Sequence, residues 1–361
     1  PMTTNSISLK RIKSYYRNIV IKKENSKLVE DDIEIKKWIG EFFPKDINVI
    51  PLFEDREGII NSAAITKEYL QDGINKDTDY QRVWLARSDP ALNYGSLSAV
   101  LMNKIALQRL SVLENEISIP IFPILGTGSA PFRGNLRPDN SRDILKAYPS
   151  VQTYTIQSAF KYDHPNNQVM NSIKELEESS RGKPTHIDEE RALEIINKIS
   201  ERYQKHISLI SKLIMDFSNY IPARRKRKLH IGLFGYSRSS NGIKLPRAIT
   251  FVSSMYNMGL PPEILGMDAL DEKDIDFIRS STTSFDVDIR DSLQYLNNEN
   301  LKYFPKEIKD AVLKTASIFD YEIEQEHKRT TSLIMANYKN KDIHSLNDNI
   351  LMASSIRKFL G

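Results

Sequence analysis

The chain has 361 residues, 40 % of them hydrophobic, enough for one large domain or two ordinary ones around a sizeable core. Its 51 Lys and Arg against 47 Asp and Glu leave a net charge of only +4, too small a bias to argue for nucleic acid or a membrane surface as partner. The absence of cysteine excludes disulfides, zinc-thiolate sites and a thiol nucleophile, and no apolar run approaches the roughly 18 residues of a membrane span, so the expectation is a soluble, cytoplasmic protein.

Residues 1–4 read as the end of a strand and 7–22 as the helix after it. Apolar, β-branched runs then alternate with segments of helical period. The expected strands are 47–54 (INVIPLFE), 82–89 (RVWLARSD), 119–126 (IPIFPILG), 151–157 (VQTYTIQ) and 229–235 (LHIGLFG). Most are apolar throughout, as strands covered on both faces should be. Between them lie expected helices at 58–70, 95–114, 141–147 and 246–259, and the first strands recur about every 35 residues, one β-plus-α unit each. That pattern predicts a parallel sheet with crossover helices. The spacing breaks where residues 188–220 carry an apolar stripe through Leu193, Ile196, Ile199, Tyr203, Ile207, Ile210, Leu213, Ile214 and Phe217. Its period predicts one long amphipathic helix serving core packing. The nearest thing to a linker is 178–184 (ESSRGKP), and beyond about residue 268 the chain reads as helical and charged to the end.

Chemistry collects where strands end. Glu54 closes the first full strand, Arg87, Ser88 and Asp89 the second, the loop 126–134 (GTGSAPFRG) follows the third, Gln157 closes the fourth, and Ser237 and Arg238 follow the fifth. In barrels and open α/β sheets the C-terminal strand ends converge on one face, where catalytic groups gather. Glu54 and Asp89 are candidate ligands for Mg²⁺ or Mn²⁺, because hard oxygen donors without histidine or cysteine suit those ions; the plain alternative is a salt bridge at a strand end. Arg238 and Arg247 suggest an anion clamp, Arg247 in the first turn of a helix whose N-terminus also favours anions; the alternative is a solvated charge. The glycine-rich loop delivers Arg133 toward a ligand but matches neither standard phosphate-loop spacing. The run 235–239 (GYSRS) lacks the closing glycine of a nucleophile elbow, and the basic run 224–228 (RRKRK) reads as solvated surface without interleaved aromatics. The six histidines show no metal-ligand spacing; His206 reads as structural, and only His164 falls near the proposed face.

Several segments in order resemble one family, the archaeal-type phosphoenolpyruvate carboxylases: PLFE at 51–54, ARSDPALNYG at 86–95, PFRGNL at 131–136, TIQSAFKY at 155–162, HIGLFGYS at 230–237 and LPRAITFVSSMYNMGLPPEILG at 245–266. The resemblance implies a TIM-like β/α barrel with extra helices over 1–267, lacking its first strands and carrying a helical insertion at about 166–228, and a C-terminal helical region over 268–361 packed on it. It implies conversion of phosphoenolpyruvate and bicarbonate to oxaloacetate and phosphate, through carboxyphosphate and a metal-held pyruvate enolate. By position it makes Glu54 and Asp89 the ligands of Mg²⁺ or Mn²⁺, Arg238 and Arg247 the holders of phosphate with Arg87 and Ser237 nearby, Arg133 the neighbour of the bicarbonate-derived group, and Gln157 part of the lining. A homotetramer is implied too. The family's opening segment, with a histidine thought to act in catalysis and a following strand with an acidic tip, has no counterpart in this sequence, which opens at Pro1; the expectation is an incomplete barrel of low activity by itself. Two other readings stand beside this one: a metal-dependent barrel aldolase or lyase acting on pyruvate enolates, and a non-catalytic barrel that assembles with a partner.

Overall fold

A computed structural model of the chain describes residues 2–75, 78–222, 239–240 and 243–361. Among these, four parallel strands lie side by side in chain order: β1 (Leu52–Phe53), β2 (Gln81–Ala86), β3 (Ile121–Gly126) and β4 (Thr153–Tyr154). Residue 2 bridges to Leu52 in the same sense, and the Thr3 amide donates to the Leu52 carbonyl at 3.0 Å, so the start of the chain lies along the outer edge of β1. The parallel β/α pattern expected from the sequence is present. Among the described residues the sheet is open rather than closed into a barrel, and the expected fifth strand at 229–235 lies outside them.

The strands β1 and β4 are shorter than their apolar runs suggest, and proline is the reason. Pro51 accepts from the Trp84 amide (2.9 Å) and Pro123 from the Gln152 amide (3.0 Å), but neither has an N–H to return, so each ladder is one-sided there. An unexpected two-residue antiparallel pair joins Ser239–Ser240 to Ile243–Lys244. The intervening residues, Asn241 and Gly242, lie outside the described residues; their types are those that two-residue hairpins favour.

Helices supply the rest of the core. The helix α1 (Ser6–Tyr15) buries Leu9 with Val49, Tyr69 and Leu70 in a small cluster of its own. The expected helix at 58–70 is two, α2 (Arg56–Ile60) and α3 (Ser62–Leu70), because Asn61 leaves helical geometry at φ −93°, ψ 9°. The helices α4 (Ser88–Tyr94) and α5 (Ser96–Ile117) meet at Gly95, whose φ of +92° suits glycine and whose missing side chain admits Ile199 and Tyr203. Those two residues belong to α6 (Glu189–Ser218), the expected long helix, capped by Asp188 and burying Ile196, Ile199, Tyr203, Ile207, Ile210, Ile214 and Phe217. Each such side chain contributes about 1.5–3 kcal/mol by leaving water. His206 is buried on the same stripe and accepts from the Gly266 amide at 3.2 Å, the structural role expected of it. The expected helix at 246–259 is α7 (Ala248–Asn257), and beyond residue 268 the chain is helical as expected: α8 (Glu272–Ser281), α9 (Phe285–Leu293) and three further helices ending at Arg357. Asp274, fully buried in the first turn of α8, receives Arg191 at 2.6 Å and Lys198 at 2.9 Å and so fixes α8 to α6. No described helix is long and apolar enough to cross a membrane.

Candidate active site

The C-terminal edge of the sheet opens into a cleft of about 460 Å³ lined by Glu54, Arg87, Ser88, Asp89, Arg133, Gln157 and Arg247, together with Trp84, Thr155 and Ile249. It is smaller than a cavity of about 750 Å³ lined by Arg137, Asp288 and Asp291, but it is the one onto which the strand ends open.

Each lining group owes its place to a break in regular structure. Glu54 directly follows β1, and the next residue, Asp55, caps α2 by accepting from the Gly58 amide at 2.7 Å, so the chain turns sharply beneath the carboxylate. Asp89 occupies the first turn of α4, one strand over. Both carboxylates are half-buried. Arg247 is the residue just before α7, exposed, at the N-terminal end of a helix where anions are favoured.

The loop after β3 is the most constrained part of the site. Thr127 and Thr155 exchange hydroxyl-to-carbonyl bonds of 2.8 and 2.9 Å, zipping the tips of β3 and β4, and the Gln157 amide donates to the Thr127 carbonyl at 2.8 Å. The chain then forms a 3₁₀ turn, Pro131–Arg133, and leaves it through Gly134 at φ +114°. Gly128 pairs with Arg133 and Leu136 through the backbone, and a Cβ on Gly128 would lie 2.7 Å from Arg133 Cζ. Glycine there lets the guanidinium approach the loop backbone closely. Arg133 is only 4 % exposed; it donates from Nε to Ser88 (3.2 Å), from Nη1 to the Gly361 carbonyl (2.7 Å), and from Nη2 to Gln157 Oε1.

Behind the loop, Arg87 is buried and donates to the Phe132 carbonyl and to Ser96, both at 3.1 Å. The Phe132 amide donates to Glu263 Oε1 at 2.6 Å, and the Tyr256 hydroxyl donates to the same oxygen at 2.7 Å. Burial pushes the Glu263 carboxyl up to about 7. Asp288, which accepts from Asn135 and Ser284, is pushed by burial up to about 6.

The cleft thus gathers Glu54, Asp89, Arg87, Arg133, Gln157 and Arg247 from the sequence-predicted set. Ser237 and Arg238, together with the basic run 224–228 and His230, lie outside the described residues. His164 does not line the cleft; it faces Gln168 at 3.3 Å. Glu263, Thr127, Thr155 and Gly361 went unpredicted. A lone acid inside the apolar run 260–265 (LPPEIL) was the one available signal for Glu263. Among the described residues no three His, Cys, Asp or Glu side chains come together, so the carboxylate pair is the only described donor set in the cleft that suits a metal.

The sequence pattern of one protein family, described as phosphoenolpyruvate carboxylase, matches residues 1–361. The phosphoenolpyruvate carboxylase of Methanothermobacter thermautotrophicus is 46 % identical over 361 residues, which cover all of this chain and 73 % of the relative. That of Methanospirillum hungatei is 45 % identical over the same shares. The phosphoenolpyruvate carboxylase of Pyrococcus horikoshii is 42 % identical over 330 residues, 88 % of this chain and 68 % of its own.

Proposed function

The chain belongs to the archaeal-type phosphoenolpyruvate carboxylases, which are carboxy-lyases, and we propose that the cleft at the sheet edge is where phosphoenolpyruvate and bicarbonate are converted to oxaloacetate and phosphate. The observation that supports this reading is convergence: two carboxylates, three arginines and a glutamine, spread from residue 54 to residue 247, line one cleft.

Family membership implies a divalent metal ion. Glu54 and Asp89 fit it by the chemistry of the donor set, two hard oxygen donors at neighbouring strand ends with no nitrogen or sulfur ligand among the described lining residues, which favours Mg²⁺ or Mn²⁺. When bound, such an ion supplies positive charge that steadies an oxygen gaining negative charge during reaction. The protein's own groups do the rest. Arg247, with Arg238 as its partner, holds the phosphate of the substrate and stays with it as it moves to bicarbonate; a guanidinium fork engages two phosphate oxygens at once, and two forks can follow the group through the transfer. Ser237 donates to the same group. Arg133 faces the carboxyl carbon in transit, and its anchorage on Ser88, Gln157 and Gly361 makes it a fixed rather than a searching charge, the condition for stabilisation without reorganisation. Gln157 borders the pocket and orients Arg133, and Arg87 lines its floor while holding the Phe132 carbonyl. In the same reading the parallel sheet is part of a β/α barrel spanning 1–267, including a helical insertion at about 166–228, with 268–361 packed on it, and the enzyme is a cytoplasmic homotetramer.

The test separates the two arginines. If Arg133 seats carbon dioxide beside the enolate, Arg133→Ala consumes phosphoenolpyruvate in the presence of bicarbonate but releases a raised share of pyruvate in place of oxaloacetate. Arg247→Ala instead slows consumption and raises the apparent KM with little change in product ratio. Malate and lactate dehydrogenases, coupled separately at saturating bicarbonate, read the two products. An Arg133 variant that yields oxaloacetate alone, at whatever rate, removes Arg133 from the capture step.

A further inference from the structure

Arg133 is held twice, once by its guanidinium and once by the peptide that precedes it. The Phe132 amide donates to Glu263 at 2.6 Å while the Phe132 carbonyl accepts from Arg87 at 3.1 Å, so the two peptide groups flanking one Cα are gripped, one by a buried acid and the other by a buried cation. Glu263 is 1 % exposed and Arg87 2 % exposed. Glu263 stands on a different element from the loop, the 3₁₀ turn Pro262–Ile264, reached through a hydrogen bond that spans 131 residues.

A carboxyl group is a costly way to satisfy one amide. Among the described residues Glu263 forms no ion pair, and its Oε2 has no hydrogen-bond partner. An apolar side chain of similar volume would avoid burying a carboxyl but would leave the Phe132 amide and the Tyr256 hydroxyl without this acceptor. What an apolar side chain does not supply is an acceptor aimed at the Phe132 amide. Tyr256 adds a second donor to the same oxygen and so orients it, and the Arg357 guanidinium lies 5.5 Å from the Tyr256 ring centroid.

We propose that Glu263 is a positioning residue for the carboxylation step: by fixing the Phe132 peptide it sets the seat of Arg133, and with it the share of enolate that is carboxylated. This rests on the reading that Arg133 borders the carboxyl group in transit. An enolate whose carbon attacks carbon dioxide leaves as oxaloacetate; one whose carbon takes a proton leaves as pyruvate. Glu263 touches neither and acts through the backbone.

The experiment compares Glu263→Met, Glu263→Asp and Glu263→Gln with Arg133→Ala and the double variant Glu263→Met, Arg133→Ala in the purified enzyme. Methionine removes the acceptor, aspartate withdraws it by one methylene, and glutamine keeps it. The first two raise the pyruvate share several-fold and lower kcat for oxaloacetate about tenfold or more, inside the roughly hundredfold that a displacement of about 1 Å can cost. The KM for phosphoenolpyruvate stays within about twofold. Glutamine restores the wild-type product ratio, and the double variant partitions no worse than Arg133→Ala alone, the non-additivity of two changes on one path. Should the methionine variant fail to fold, the aspartate variant carries the comparison. A wild-type product ratio in a folded Met or Asp variant, with Arg133→Ala shifted, overturns the role of Glu263 and leaves that of Arg133 standing. An unshifted Arg133→Ala overturns both.

Discussion

Glu54 and Asp89 reach the cleft from neighbouring strand ends, and the first prediction at this scale is about their charge. Replacing either with its amide keeps the shape and removes a hard anionic donor. Glu54→Gln and Asp89→Asn therefore lower kcat at least about a hundredfold and weaken Mn²⁺ binding, measured by calorimetry or by the free-ion electron spin resonance signal, while the melting temperature without metal shifts by only a few degrees. Unchanged Mn²⁺ affinity in both variants takes them out of the metal site. These two residues, with Gln157, were legible in the sequence because strand ends in a parallel sheet converge, so position along the chain predicts position on the face, and Arg247 was legible from its place at a helix N-terminus. Glu263 and Gly361 were not. Their partners lie 131 and 228 residues away, and no periodicity links residues that meet only when separate elements pack.

The element that decides the site is the loop between β3 and its 3₁₀ turn. Its glycines were legible as places of close approach, but which atoms approach was not: Gly128 faces the Arg133 guanidinium and Gly126 the Trp84 indole. Gly128→Ala puts a methyl group 2.7 Å from Arg133 Cζ, and the guanidinium must leave its three acceptors to make room. The expected result is a loss of at least about tenfold in kcat with a raised pyruvate share, and a change in stability of about 1 kcal/mol, read by urea unfolding. Full activity in this variant would show that Arg133 tolerates displacement. Most strands and helices appeared where the hydrophobic period put them, and the long helix α6 matched within two residues at each end because nine apolar positions share one stripe. Shortened β1 and β4, and the break at Asn61, follow from single residues whose effect depends on which neighbour they face.

Across the whole molecule, buried acids and buried histidines tie stability to pH in opposite directions. Glu263 and Asp288 are raised by burial to about 7 and about 6, so each binds its proton more tightly folded than unfolded. Their contribution is fully present below the ordinary carboxyl range and is lost as pH rises through those values, with a slope of at most about 1.4 kcal/mol per pH unit for each proton. His327 and His206 are lowered, chiefly by burial, so they favour the folded state more as pH rises through the usual histidine range. The two trends overlap, and the difference between wild type and Glu263→Gln isolates one of them. Between about pH 5 and 8 wild type loses stability relative to the glutamine variant, measured by urea unfolding at each pH. A constant gap would mean that Glu263 keeps an ordinary carboxyl affinity for its proton.

The bond from Arg133 to Gly361 also has a meaning in time. Sheet order follows chain order, β1 beside β2 beside β3 beside β4, so that layer can assemble from units close in sequence. The arginine's seat needs a carbonyl 228 residues further on, a closure that comes late because long loops are slow to form. On that order of events a refolding chain regains its far-UV circular dichroism before its carboxylation activity, and simultaneous recovery of the two would refute it. In that case competence trails shape, set by the last contact to close.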